Sequence, residues 1–202
     1  ETNMKSIIFA TSNEGKMDEV REILKDLDLN LMSLKDANIS IDIDENGKSF
    51  EENAIIKART VCEKTGQIVL ADDSGLEVDY LDKAPGIYSA RFLGEDTPYS
   101  IKNQYIIDQL KNVSFNERSA RFVCAIACAF PKGEVITREG VLEGYIADKI
   151  SGSHGFGYDP IFYVPEYDCT TAEMPNIKNK ISHRARALQA MKEVLEKIIA
   201  TN

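Results

Sequence analysis

Residues 121–130 constrain the fold of this chain more than any other segment. Phe122, Cys124, Ile126, Cys128 and Phe130 alternate along one face, and the positions between them are largely alanine and valine. A strand that is apolar on both faces has to be covered on both faces. The segment therefore predicts an inner strand of a layered structure. Pro131-Lys132-Gly133-Glu134 follows with turn chemistry, and residues 135–146 are again β-prone, so the two strands should form a hairpin.

The elements around this hairpin alternate in type. Residues 5–11 read as a short apolar strand. A turn at Ser12-Asn13-Glu14-Gly15 leads into a helix with Met17, Val20, Ile23, Leu24 and Leu27 at helical spacing. Ser49-x-x-Glu52 has the form of a capping box and opens a second helix to about Lys64, with Phe50, Ala54, Ala58 and Val61 as its apolar stripe. Residues 68–71 are a compact apolar run ending in Asp72-Asp73-Ser74-Gly75, which predicts a buried strand leading into a polar turn. Residues 99–110 read as a helix. A glycine-rich loop at 151–158 precedes a short strand at 161–164, and a last helix starts near Ser182 with Leu188, Met191, Val194, Leu195 and Ile198 in its stripe. No internal repeat or linker interrupts the pattern, and the mixture predicts an α/β fold around a mixed sheet.

Composition narrows the function classes. A chain of 202 residues, 43% hydrophobic and 28% charged, suits one domain or two closely packed lobes. Its apolar runs fall short of the roughly 20 residues that cross a bilayer, and residues near the N-terminus lack a signal-peptide pattern, so the expectation is a cytoplasmic protein without a membrane partner. Glu1-Thr2-Asn3, ahead of Met4, is given no fold meaning. Cys62, Cys124, Cys128 and Cys169 form no Cys-x-x-Cys pair and, with two histidines in the chain, no zinc spacing. They read as reduced thiols. A net charge of −9 argues against a nucleic-acid partner, which needs a basic face. A phosphate ligand would have to be held by local cations or a metal.

Five segments carry possible chemistry, and each has a plain structural alternative. Thr11-Ser12-Asn13-Glu14-Gly15-Lys16 is a strand-to-helix turn whose N–H groups suit a phosphate. It is not a Walker loop, because Ala10 and Met17 stand where that motif needs glycine and Ser or Thr. Lys16 opposes the helix dipole unless an anion sits beside it; otherwise it is a solvated lysine. Lys57, four residues after Asn53, lies at the edge of an apolar stripe and points either to water or into a cleft. Asp72 and Asp73, with Asp42, Asp44 and Glu45 in an earlier turn, offer hard oxygen donors for magnesium and a base for water, or are turn residues only. Residues 152–160 pack Phe156, Tyr158 and Asp159 between glycines, as a base-stacking site or as a mere loop. Lys178 and Ser182-His183-Arg184 put cations at a helix start, against the dipole rule. Arg184 could bond a 6-keto oxygen or a phosphate, while His183 is equally a capping residue.

Taken together the chain resembles the inosine triphosphatase family, also called dITP/XTP pyrophosphatases. The segments that carry the resemblance are residues 11–16, Ser49-Phe50-Glu51-Glu52-Asn53-Ala54 with Lys57-Ala58, Ala71-Asp72-Asp73-Ser74-Gly75-Leu76, Ala84-Pro85-Gly86-Ile87-Tyr88-Ser89-Ala90-Arg91, residues 155–162, and Ile181-Ser182-His183-Arg184. Each is weak alone; six in one order are specific. The resemblance implies a single two-lobed α/β domain with an elongated mixed sheet flanked by helices, a nucleotide cleft between the lobes, and a homodimer. It implies cleavage of ITP, dITP and XTP to the monophosphate and pyrophosphate with Mg2+, which cleanses the nucleotide pool.

On the same resemblance Thr11, Ser12, Asn13, Glu14, Gly15 and Lys16 would hold the triphosphate, and Lys57 would assist. Asp73 would accept the proton and bind metal together with Asp44 or Glu45. Asn53, Ser74, Phe156, Gly157, Tyr158, Asp159, Lys178, His183 and Arg184 would bind the nucleotide, the later ones around the base. Two departures stand out: Asp44 is shorter than the glutamate often found at its place, and Asp168-Cys169 replaces a frequent Gly-Lys. A pyrophosphatase of the septum-inhibitor type and a non-catalytic nucleotide sensor are the competing readings.

Overall fold

The computed structural model describes residues 4–201, so Glu1-Thr2-Asn3 lies outside the described residues. Seven strands form a mixed sheet in the order β2-β1-β3-β4-β5-β6-β7. They are β1 (Lys5–Phe9), β2 (Leu29–Met32), β3 (Val69–Val78), β4 (Ser119–Ala129), β5 (Val135–Ile146), β6 (Phe162–Val164) and β7 (Cys169–Thr170). β1 runs parallel to β2 and β3, whereas β5, β6 and β7 pair antiparallel in turn. The helices are α1 (Glu14–Ile23), α2 (Phe50–Thr65), α3 (Tyr99–Gln109), α4 (Lys178–Ile181) and α5 (His183–Ala200). No helix among the described residues is long and apolar enough to cross a membrane. The chain divides into two compact units: one holds the residues up to Asp73, Cys124–Gly140 and those from His183 on, the other Ser74–Val123 and Val141–Ser182.

The first unit is built on Ile7 and Phe9 of β1, Leu70 of β3 and Cys124, Ile126 and Cys128 of β4, covered by Met17 and Val20 of α1 and by Leu188, Met191 and Leu195 of α5. Residues 122–129 of β4 are all buried, as a strand apolar on both faces requires. Truncating Ile126 to alanine should cost about 2–5 kcal/mol. Gly140 of β5 lets α5 approach: a Cβ there would lie 2.3 Å from the His183 carbonyl oxygen and 2.4 Å from the Ala187 nitrogen. The second unit gathers Leu76 and Val78 of β3, Ile106, Ile107 and Leu110 of α3, Phe122 of β4 and Phe162 of β6 into its own core. The Phe122 and Phe162 rings lie 4.3 Å apart.

Three sequence expectations need correction. The first helix was expected to reach Leu27 but stops at Ile23; Asp26 and Asp28 are poor helix residues, and their charge opposes the C-terminal dipole. Leu27 still packs on the core from a turn, with its N–H on Leu24 O at 3.0 Å. The capping box at Ser49 is half realised: Ser49 Oγ accepts from Glu52 N at 3.0 Å, but the Glu52 carboxylate takes the N–H of Lys48 instead of that of Ser49. Most consequential is β3. Asp72-Asp73-Ser74-Gly75 is no turn; the strand continues through it to Val78.

Candidate active site

The side-chain alternation of β3 explains how two adjacent aspartates come to play different parts. Successive residues of a strand point to opposite faces, and here Asp72 is fully buried while Asp73 is half-buried. Aspartate is disfavoured inside strands because its charge loses water. At Asp72 that loss is offset by cations drawn from three distant parts of the chain. Lys16 Nζ lies 3.4 Å from its carboxylate, and Arg184 reaches Asp72 Oδ2 through both Nε and a terminal nitrogen at 3.4 Å. Lys57 Nζ donates to the Asp72 carbonyl at 2.8 Å. Burial alone would raise the Asp72 pKa, but Lys16, Arg184 and Lys57 together hold it well below the usual carboxylate range.

Asp73 behaves in the opposite way. Burial pushes its pKa up from 3.8 to about 6, against the pull of Lys57, Lys16 and a hydrogen bond donated by Asn53 Nδ2 at 3.1 Å. This carboxylate is short of positive charge. Glu45 sits beside it in the same cluster, ion-paired to Lys57 at 2.9 Å, whereas Asp44 is exposed. Lys57 remains a cation: burial pulls its pKa down, but Asp72, Glu45 and Asp73 outweigh it and leave it raised.

The turn before α1 completes this cluster. Thr11 Oγ1 accepts the N–H of Asn13 at 3.0 Å, and Asn13 caps the helix by accepting the N–H of Lys16 at 3.0 Å. Ser12, Asn13 and Glu14 are exposed, and Gly15 and Lys16 are partly so. The first N–H groups of a helix have no intrahelical acceptor, so this end is suited to an anion. The Lys16 side chain is 18% exposed, with its ammonium only at the limit of hydrogen-bond reach from Asp72.

A metal fits the chemistry of these donors. Among the described residues no three His, Cys, Asp or Glu side chains converge into a ready-made cage. Magnesium rarely needs one, since one or two carboxylates with water and substrate phosphates usually suffice. Asp73 and Glu45 are hard oxygen donors, and the raised pKa of Asp73 marks a place where a divalent cation would relieve a charge deficit.

Arg184 is the third cation of the Asp72 cluster. Its side chain is 2% exposed and ion-paired to Glu19 of α1 as well as to Asp72. The cation at the start of α5 that seemed to oppose the helix dipole is thus neutralised from α1 and β3. Asp72, read from the sequence as a possible magnesium donor or base, is here the shared counter-charge of the cations, and Glu19 was not singled out in the sequence at all. A carboxylate three residues after Lys16, between the apolar positions Met17 and Val20, is the signal that could have found Glu19. His183, the first residue of α5, is buried.

The second unit contains the glycine-rich segment, organised around Asp159. That carboxylate accepts the N–H of Phe156 at 3.0 Å, the hydroxyl of Thr171 at 2.8 Å and Lys178 Nζ at 2.6 Å. Gly155, at φ +75°, has to be glycine, because a Cβ would come within 2.2 Å of Asp159 Oδ2. Lys178 Nζ also lies 4.9 Å from the centre of the Phe156 ring, which is half-buried. Tyr158 donates its hydroxyl to Ser89 O at 2.6 Å and packs edge-on against Tyr99 at 5.1 Å. Ser74, next to Asp73 on β3, is half-buried.

The Ham1 family matches residues 7–194. A dITP/XTP pyrophosphatase of Clostridium perfringens is 50% identical over 203 residues, covering 97% of this chain and all of that protein. One from Bacillus subtilis is 45% identical, covering 96% and 98%. Among solved structures, a HAM1 protein from Coxiella burnetii superposes with a TM-score of 0.86 at 41% identity, and the Staphylococcus aureus Ham1 protein with 0.85 at 38%. Each of the two covers 96% of this chain and the whole of the other.

Proposed function

This chain belongs to the Ham1 family, and from that premise we propose that it hydrolyses deaminated purine nucleoside triphosphates, dITP, XTP and ITP, to the monophosphate and pyrophosphate. The observation that carries this reading is the meeting of Lys16, Lys57 and Arg184 on one buried aspartate, with a charge-deficient aspartate beside it in sequence. That arrangement suits a polyanion in motion: cations fixed in place by a buried counter-charge, and a carboxylate with a pKa close to neutrality.

In the reaction the triphosphate tail lies along residues 11–16 at the N-terminus of α1, against the N–H groups of Ser12, Glu14 and Gly15, those of Thr11, Asn13 and Lys16 being used within the turn. Lys16 and Lys57 stabilise the charge that builds on the departing pyrophosphate. Both are held before substrate arrives, so little reorganisation opposes catalysis. Asp73, ionised just above its pKa of about 6, takes the proton of a water whose oxygen attacks the α-phosphorus. The bond from that phosphorus to the α,β-bridging oxygen breaks as the new one forms. Asn53 holds Asp73 by its Oδ2, which keeps the other carboxylate oxygen for the water. Mg2+, held by Asp73 and Glu45 with Asp44 near in sequence, would neutralise phosphate charge and polarise the attacked centre when bound.

Phe156 provides a ring on which a purine stacks, and the loop N–H groups of Gly155, Gly157 and Tyr158 provide donors, that of Phe156 being taken by Asp159. A 6-keto purine accepts there, whereas adenine offers an amino donor and leaves the site's own donors unpaired. Ser74, Tyr158, Asp159, Lys178 and His183 shape or support nucleotide binding. Arg184 belongs to the same nucleotide-binding set and also holds Asp72 in place. The protein works in the cytoplasm as a homodimer. A nucleotide panel with magnesium tests the whole reading: ITP, dITP and XTP should yield pyrophosphate and monophosphate, ATP far less, and chelation should stop release. Orthophosphate with a diphosphate product, or equal cleavage of ATP, contradicts it.

A further inference from the structure

Phe156 stacks well only if the chain beneath it is stiff, and one support of that segment comes from outside every motif considered so far. Asn103 lies on α3, 2% exposed, and its Nδ2 donates to the carbonyl of Gly157 at 3.1 Å. The donation fixes the amide's orientation, since an oxygen facing that carbonyl would repel it. Asn103 Oδ1 is consequently buried with no hydrogen-bond partner among the described residues. An unsatisfied buried acceptor is costly, so asparagine is a poor choice for stability here. A leucine would fill similar space at α3 without stranding an acceptor.

The carbonyl it holds belongs to a residue at φ +64°, a conformation in which the peptide is open to rotation unless something pins it. Rotation of that peptide would swing Phe156 on one side and Tyr158 on the other. Tyr99, one turn earlier on α3, lies against Gly157 at 3.8 Å from an added Cβ and meets Tyr158 edge-on. Asp159 braces the segment from within; α3 braces it from without.

We infer that Asn103 is a positioning residue that holds the Phe156-Gly157-Tyr158 segment in its base-binding form, so that purine affinity depends on a side chain of α3. The inference rests on the function proposed above for this segment, and the test separates the two. Parent protein, Asn103→Ser and Asn103→Asp are compared by KM and kcat for ITP, by inhibition with IMP, which carries the base, and by inhibition with inorganic pyrophosphate, which does not. Both variants should show KM for ITP and the inhibition constant of IMP raised about tenfold. Asn103→Asp should be the worse, because it sets a carboxylate against a carbonyl. The pyrophosphate constant should stay within about twofold and kcat within about threefold. Unchanged IMP and ITP constants would overturn the inference. So would parallel loss of IMP and pyrophosphate binding, or loss of folding in both variants, since each would mark a purely structural residue. A parent that neither cleaves ITP nor binds IMP would instead overturn the function reading.

Discussion

Asp159 in the second unit and Asp72 in the first are both buried carboxylates with cations around them, yet they are satisfied in different ways. Asp159 meets Lys178 at 2.6 Å, a hydroxyl at 2.8 Å and an N–H at 3.0 Å. These are the short contacts of a closed, mutually sufficient pair. Asp72 meets Lys16 and Arg184 at 3.4 Å, and Lys57 through its carbonyl only. Arg184 and Lys57 are also paired to Glu19 and Glu45, whereas Lys16, 18% exposed, is held at that longer distance. A closed cluster holds its loop rigid; the looser one leaves Lys16 able to meet a phosphate. The difference separates the part of the molecule that shapes a loop from the part that handles charge.

The largest effect that can break this comparison is on stability. Asp72→Ala takes from Lys16 and Arg184 the anion they share, although Arg184 keeps Glu19, and equilibrium urea unfolding should show a loss of about 3–5 kcal/mol. A loss below 1 kcal/mol would mean that Asp72 does not organise the cluster. Next in size, Lys16→Ala should lower kcat/KM for ITP by about 100-fold, from loss of a charge-assisted contact that forms fully only in the transition state. Lys178→Met should leave kcat within a few-fold and act on KM instead, because Lys178 is engaged by Asp159. Equal effects of the two lysine variants on kcat would erase the distinction between the clusters.

The smallest effect concerns pH. Asp73 has its folded pKa raised to about 6 from 3.8, so the folded protein binds this proton more tightly than the unfolded chain does. The associated stability is complete below about pH 3.8 and is lost as pH rises through about 6. Asp73→Asn should therefore stabilise the metal-free protein at pH 8, by about 1–2 kcal/mol once the side chain's access to water is allowed for, and the gain should vanish towards pH 4. Asp72, with its pKa lowered, contributes in the reverse direction: its stability is present above its unfolded pKa and is lost on acidification. Thermal unfolding of parent and variant across this pH range checks both signs.

Much of the fold was legible because the apolar pattern is local. The β4 segment announced its burial on both faces, and the α5 stripe from Leu188 to Ile198 is buried at every position named. The parts that were not legible depend on partners far along the chain. Asp72-Asp73 reads as a turn because a strand rarely keeps a charge; only Lys16, Lys57 and Arg184, 15 to 112 residues away, make that burial tolerable. Arg184 was recognisable as anomalous at a helix start, but its acceptors on α1 and β3 were not. Asn103 carried no signal at all, since an asparagine in the middle of an amphipathic helix is indistinguishable from a surface residue until the Gly157 carbonyl is seen opposite it.

The adjacent aspartates of β3 divide the labour: Asp72 gathers cations, and Asp73 serves the water. Asp73→Asn, assayed with ITP and magnesium alongside thermal unfolding, should lose turnover by about 100-fold to 10,000-fold with no fall in its melting temperature. Near-parental turnover in that variant, with pyrophosphate still released, would contradict the account.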